Sequence, residues 1–136
     1  MNNLLHQDLS YLIRGIIFEI RNNYGPGQKE IIYQNLFKEL LKQKNIKYEK
    51  EKSISIFSPD NKKVGVYRPD FVVEDKIIIE IKASRFTAKV DEKQIYYYLR
   101  NSKYEVGFLV NFSTPKLYIK RIIYTNDRKP FLSTSV

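Results

Sequence analysis

The segment Lys76-Ile77-Ile78-Ile79-Glu80-Ile81-Lys82 restricts the fold of this chain more than any other. Four isoleucines, β-branched and stiff about χ1, favour extended backbone. Extended backbone sends alternate side chains to opposite faces, so Ile77, Ile79 and Ile81 fill one face while Ile78 lies on the other. A strand apolar on both faces needs cover on both, which places it inside a sheet sandwiched between layers. The same alternation puts Glu80 and Lys82 on one face. Burying two charges there is costly unless they are paired.

The flanking sequence supplies the layers. Leu4, Leu5, Leu9, Leu12, Ile13, Ile16, Ile17 and Ile20 recur at three- and four-residue steps, the stripe of an amphipathic helix. Asn22-Asn23-Tyr24-Gly25-Pro26-Gly27 ends it. A second helix is expected from about Gln28 to Lys44, with Ile32, Leu36, Phe37, Leu40 and Leu41 on its apolar side. Alternation through Ile46, Tyr48, Ile54 and Ile56 predicts a strand ending at Ser58-Pro59-Asp60-Asn61, and Val64, Val66 and Phe71-Val72-Val73 predict a second. The isoleucine-rich strand is third. A helix over Ala88–Ser102 and strands over Val106–Phe112 and Leu117–Tyr124 complete the order. The fold class is α/β, of α+β-like order, with a mixed central sheet flanked by helices. The 136 residues suit one domain, taken as 1–127, with 128–136 expected as a loose tail.

Composition narrows the chemistry. There are 24 Lys and Arg against 15 Asp and Glu, a net charge of +9, which attracts polyanions, nucleic acid foremost. The chain has no Cys, and His6 is its one histidine. Thiolate catalysis, disulfides, histidine triads and His-cluster metal sites are therefore excluded. Any metal must take oxygen ligands, which favours Mg2+ or Mn2+. No apolar run reaches the roughly 20 residues that span a bilayer, and the N-terminus does not read as a signal peptide, so a cytoplasmic location without membrane contact is expected.

Within this framework Arg68-Pro69-Asp70 precedes Glu80-Ile81-Lys82 by a spacing suited to a hairpin. If the chain turns about Asp75, Asp70 lies opposite Glu80, with Cβ atoms roughly 4.5–5.5 Å apart. Two carboxylates and one ammonium then converge. A divalent cation relieves the carboxylate repulsion, and the lysine is suited to orienting water or stabilising charge on a phosphoryl oxygen. Those are the parts of a phosphodiester hydrolase. The other reading is structural: Glu80 and Lys82 as an ion pair, Asp70 as a turn residue.

Asp70, Glu80 and Lys82, preceded by Pro69, resemble the signature of the PD-(D/E)xK nuclease superfamily. The chain is similar in particular to the small GxxExxY proteins, whose naming motif corresponds to Gly27, Glu30 and Tyr33 after the Tyr24-Gly25-Pro26-Gly27 turn. Gly65-Val66-Tyr67-Arg68, Glu74-Asp75-Lys76 and Val110-Asn111-Phe112 extend the similarity over about Leu12 to Ile123. The resemblance implies a restriction-endonuclease-like core acting on DNA with Mg2+ or Mn2+. It assigns Asp70, Glu80 and the Ile81 backbone carbonyl to the metal and Lys82 to the attacking water.

The resemblance also makes Glu30 a further metal ligand or supporting acid, whereas on residue grounds it is equally a solvated carboxylate at a helix N-terminus. Tyr33, sharing its face, is either a supporting hydrogen-bonding group or core. Gln94 and Tyr98, four apart on the third helix, resemble the QxxxY element of the superfamily's exonuclease branch; packing of an aromatic-rich helix explains the tyrosine as well. Arg85 and Lys89, between Lys82 and that helix, are candidate DNA-phosphate contacts, while the remaining basic residues read as solvated surface. The expectation is a Mg-dependent nuclease with nucleic acid, DNA before RNA, as partner, and a homodimer if both strands of a duplex are cut. The alternatives are a catalytically idle nucleic-acid-binding or partner-binding domain on the same scaffold, and a structural subunit.

Overall fold

The computed structural model describes residues 5–132. The chain begins with helices α1 (Gln7–Tyr24) and α2 (Glu30–Gln43), followed by strands β1 (Tyr48–Lys50), β2 (Ile54–Phe57), β3 (Lys63–Tyr67), β4 (Phe71–Val73) and β5 (Ile77–Lys82). Helix α3 (Lys89–Arg100), strands β6 (Val106–Asn111) and β7 (Tyr118–Ile123) and two short 3-10 turns complete it. A five-stranded sheet runs β1-β4-β5-β6-β7, with β5 and β6 parallel and every other pair antiparallel. The α3 crossover is what a parallel pair requires. The mixed sheet flanked by helices is the expected class, and the isoleucine strand β5 is its central strand.

The faces of β5 divide as the alternation demands. Ile77, Ile79 and Ile81 pack with Ile13, Ile16, Ile17 and Ile20 of α1 and Phe37 and Leu41 of α2. Ile78 packs with Ile95 and Leu99 of α3 on the other face. The α1 isoleucines are fully buried, each contributing roughly 1.5–3 kcal/mol of transfer free energy. In α2 the buried stripe is Tyr33, Phe37 and Leu41, so Ile32, expected in the core, is exposed. Leu4 lies outside the described residues.

Each of the first two expected strands is two. Glu51 adopts a left-handed φ of 52° and breaks β1 from β2; Arg68-Pro69 breaks β3 from β4, since proline has no N–H for a ladder. Periodicity alone does not register these interruptions, because the apolar alternation resumes after each. The pieces belong to different layers: β1 and β4 join the main sheet, while β2 and β3 form a separate hairpin whose Ile54 and Tyr67 pack in the α3-side core. Arg68 Nε donates to Ser53 Oγ at 2.9 Å, joining the two crossing segments.

The C-terminal stretch is also corrected. Residues 129–132 pack on the domain: Phe131 is buried and stacks on Phe57, and Lys129 is fully buried, its Nζ donating to the carbonyls of Ser102 (2.8 Å) and Tyr104 (2.6 Å). Burial lowers the Lys129 pKa to about 8. A lysine within a polar stretch reads as solvent-facing, and only the two carbonyls waiting for it reverse that. Residues 133–136 lie outside the described residues.

Candidate active site

Strand register assembles the site. Phe71 pairs with Ile79, Val72 with Ile78 and Val73 with Ile77, a register that continues to Asp70 opposite Glu80. The turn that sets it, Glu74-Asp75, holds both residues at left-handed φ values of 53° and 52°. Such a pair suits the twist of a hairpin but is sterically costly without glycine. Side-chain ties hold it: Glu74 Oε2 accepts from Lys47 N (2.8 Å), and Asp75 accepts from the Tyr104 hydroxyl (2.6 Å) and from Lys52 (3.2 Å).

At the open end of this hairpin each carboxylate binds the other strand's backbone. Glu80 Oε1 accepts from Asp70 N at 2.8 Å, and Asp70 Oδ2 accepts from Ile81 N at 2.7 Å. One oxygen of each carboxylate is thereby anchored by backbone. Glu80, Lys82 and Asp70 are all partly buried, on the face toward α3. The pair is electrostatically strained. Burial and the Asp70 charge push Glu80 up to about 7, against the Asp70 N–H and the Lys82 ammonium, which favour its ionised form. Asp70 is raised by burial and by Glu30, with Ile81 N–H, Lys82 and Lys50 opposing.

The other candidates fall into three groups. Glu30, exposed at the start of α2, is close enough for its charge to bear on Asp70. Tyr33 is a core residue: fully buried, it stacks on Phe112 with centroids 4.6 Å apart, accepts from Gln28 N and donates to Gly25 O at 2.5 Å. It thus closes the α1–α2 turn that delivers Glu30.

Gln94 and Tyr98 connect to the acids through a relay. Gln94 Nε2 donates to Tyr98 Oη at 3.1 Å, and Tyr98 stacks on Tyr67 at 3.7 Å. The Tyr67 hydroxyl is buried without a hydrogen-bond partner of good geometry, yet lies close enough to Glu80 to interact with it; burial and the two carboxylates raise its pKa. Arg85 and Lys89 are exposed on the loop after Lys82 and the first turn of α3. No direct contact joins either to the acids.

Asn111, Tyr67 and Lys50 are site residues that the sequence did not single out for roles. Asn111 is fully buried beside Lys82 in the β5–β6 register. Its Oδ1 accepts from the backbone of Ser84 (3.2 Å) and Ser113 (3.1 Å), and its Nδ2 donates to Ser84 Oγ and Thr87 Oγ1, each at 3.1 Å. It shapes the loop that carries Arg85 into α3. The available signal was a polar residue ending an otherwise apolar strand. Replacing Asn111 by Ala orphans these groups and should cost about 2–3 kcal/mol. Hydrogen exchange at Ser84 and Ser113 should accelerate selectively; unchanged exchange there would refute the loop role.

The donor set tests which metal fits. Among the described residues no three His, Cys, Asp or Glu side chains gather as a metal cluster. Two carboxylates remain, each with one oxygen outside these backbone bonds, and Ile81, whose N–H is turned toward Asp70, turns its carbonyl to the same side. Pro69 has no N–H to offer that carbonyl. Hard oxygen donors of this kind fit Mg2+ or Mn2+.

A mixed sheet flanked by helices, with an acidic pair and a lysine at the end of its central hairpin, defines a nuclease-like core. The family model of the PD-(D/E)XK nuclease superfamily matches residues 7–122, and the chain belongs to that superfamily. Among solved structures, one described as "Crystal structure of SSO0001" is similar at 19% identity, covering 89% of this chain and 70% of that one with a TM-score of 0.48. No curated protein matches the chain. Among the described residues no helix is long and apolar enough to cross a membrane.

Proposed function

We propose that this protein is a metal-dependent nuclease that hydrolyses phosphodiester bonds in DNA. The observation that carries the reading is the interlocked acid pair, with Asp70 and Glu80 each held by the other strand's backbone and Lys82 two residues on. Superfamily membership supports nuclease chemistry. The GxxExxY branch is supported by Gly27, Glu30 and Tyr33, with Tyr33 closing the turn from which Glu30 projects.

In this reading Asp70, Glu80 and the Ile81 carbonyl hold Mg2+ or Mn2+, with Glu30 as an outer acid. The bound ion would supply charge neutralisation and a more acidic water. Lys82 orients the attacking water and offsets negative charge on the phosphoryl oxygens. Gln94, held by Tyr98, would donate to phosphate or water. Arg85 and Lys89 hold the flanking phosphates, and a two-fold dimer supplies the second active site for duplex cutting. A cytoplasmic location accords with such a substrate. The catalytically idle binding domain is the second reading, which the net charge of +9 would support without any cation.

The test is cleavage of labelled linear and circular DNA with Mg2+, Mn2+ or EDTA. Metal-dependent cutting is expected, circular substrate distinguishing internal from terminal cleavage. Salt-sensitive binding without cutting under any metal would favour the idle domain.

A further inference from the structure

Helix α3 turns different flanks toward two regions. Gln94 and Tyr98 lie on the flank that stacks on Tyr67, whereas Tyr96 faces β7 across a groove of about 480 Å³ lined by Lys93, Tyr97, Lys120 and Ile123. Tyr97 is 54% exposed and Tyr96 37%. Their rings stand edge-on to one another at 5.9 Å, and Tyr96 meets Tyr124 at 5.2 Å. The Arg128 guanidinium covers the Tyr124 ring at 4.3 Å.

Lys93, Lys120 and Arg128 form no ion pair among the described residues, whose ion pairs lie elsewhere. Glu92, the acidic residue of the groove lining, accepts the Tyr118 hydroxyl. Exposed aromatic rings bordered by uncompensated cations match a strand whose bases are free to stack and whose phosphates need neutralising. A duplex offers only its phosphates to such a surface. A second copy of the chain would set Lys93 and Lys120 against like charges in a two-fold contact.

We propose that the groove between α3 and β7 binds single-stranded nucleic acid, with Tyr97 and Tyr96 as stacking platforms and Lys93 and Lys120 as phosphate contacts. This deepens the proposed nuclease function: a strand held there lies one helix diameter, roughly 10 Å, from the flank bearing Gln94. The groove would then hold an unpaired strand beside the cutting site.

The experiment measures binding of fluorescent oligo(dT), oligo(U) and a blunt DNA duplex by anisotropy in EDTA, where no turnover occurs. Loss of nuclease activity and loss of groove binding are thereby separate results. Tyr97→Ala should weaken single-strand binding at least fivefold and duplex binding less than twofold. Lys93→Ala/Lys120→Ala should flatten the log–log salt dependence by roughly 1.4, about 0.7 per phosphate contact. Comparison of oligo(dT) with oligo(U) assigns DNA or RNA. Unchanged single-strand binding in both variants, equal losses on duplex and single strand, or a dimer that the variants convert to monomer would each overturn the proposal. The substituted side chains are exposed, and circular dichroism checks the fold.

Discussion

Lys82→Ala should bind DNA nearly as the parent protein does and cleave it at least 10²-fold more slowly, with its secondary structure intact. Lys82 ends β5, where its Cβ side is only partly buried and the strand's apolar packing is already complete at Ile81. Truncation therefore opens no large cavity, while it removes the one ammonium close enough to favour ionisation of both Asp70 and Glu80. Loss of a single group that stabilises transition-state charge typically costs 10²–10³ in rate. Lys82→Arg should not restore the rate, because a planar fork cannot replace a compact ammonium in a site built for one donor. Asp70→Asn is the companion variant: its amide oxygen can still accept from Ile81 N, so the hairpin survives and only the charge is lost. Single-turnover cleavage with Mg2+ reads both. Full activity in either variant would remove the acid–lysine constellation from the mechanism.

Without metal, the protein should be more stable at pH 5 than at pH 8. The Glu80 pKa is raised from 4.5 to about 7 by burial beside Asp70, so the folded state holds a proton that the unfolded state releases. Between those values the native form binds more protons, and unfolding free energy falls as pH rises, by about 3 kcal/mol at most. The raised Asp70 acts in the same direction. His6, whose pKa is lowered, opposes weakly, since partial burial disfavours its charged form below pH 6.5. Asp75, held down to about 2, and Lys129, lowered to about 8, titrate mainly outside this window. Thermal unfolding in EDTA across pH 5–8 should show the decline. Glu80→Gln should remove most of it, as should saturating Mg2+, because a bound divalent ion offsets the paired negative charge. A pH-independent midpoint would show that the carboxylates are less strained than their burial dictates.

Much of this arrangement was legible from side-chain chemistry along the chain. The four isoleucines of β5 can be satisfied only in the middle of a covered sheet, and hydrophobic periodicity located α1 and α2. Hairpin symmetry about Asp75 put Asp70 opposite Glu80, because antiparallel pairing is a counting rule once the turn is located. The turn itself was harder to justify: Glu74 and Asp75 have no glycine's freedom and are held by Lys47, Lys52 and Tyr104, residues 27 or more positions away in two cases.

Other features depended on groups that meet only after folding. A left-handed Glu51 and a proline at position 69 divided two apparent strands between different sheets, since apolar alternation carries no information about which sheet a segment joins. Lys129 is buried because the carbonyls of Ser102 and Tyr104 converge on it, and Asn111 organises the loop after Lys82 because parallel pairing sets it beside that residue. By itself, the sequence determined which residues can carry charge, ligate a hard cation and form a central strand, for these are properties of side chains and their spacing. Tertiary structure alone decided which polar groups are desolvated and satisfied, since burial and hydrogen bonding are relations between distant segments.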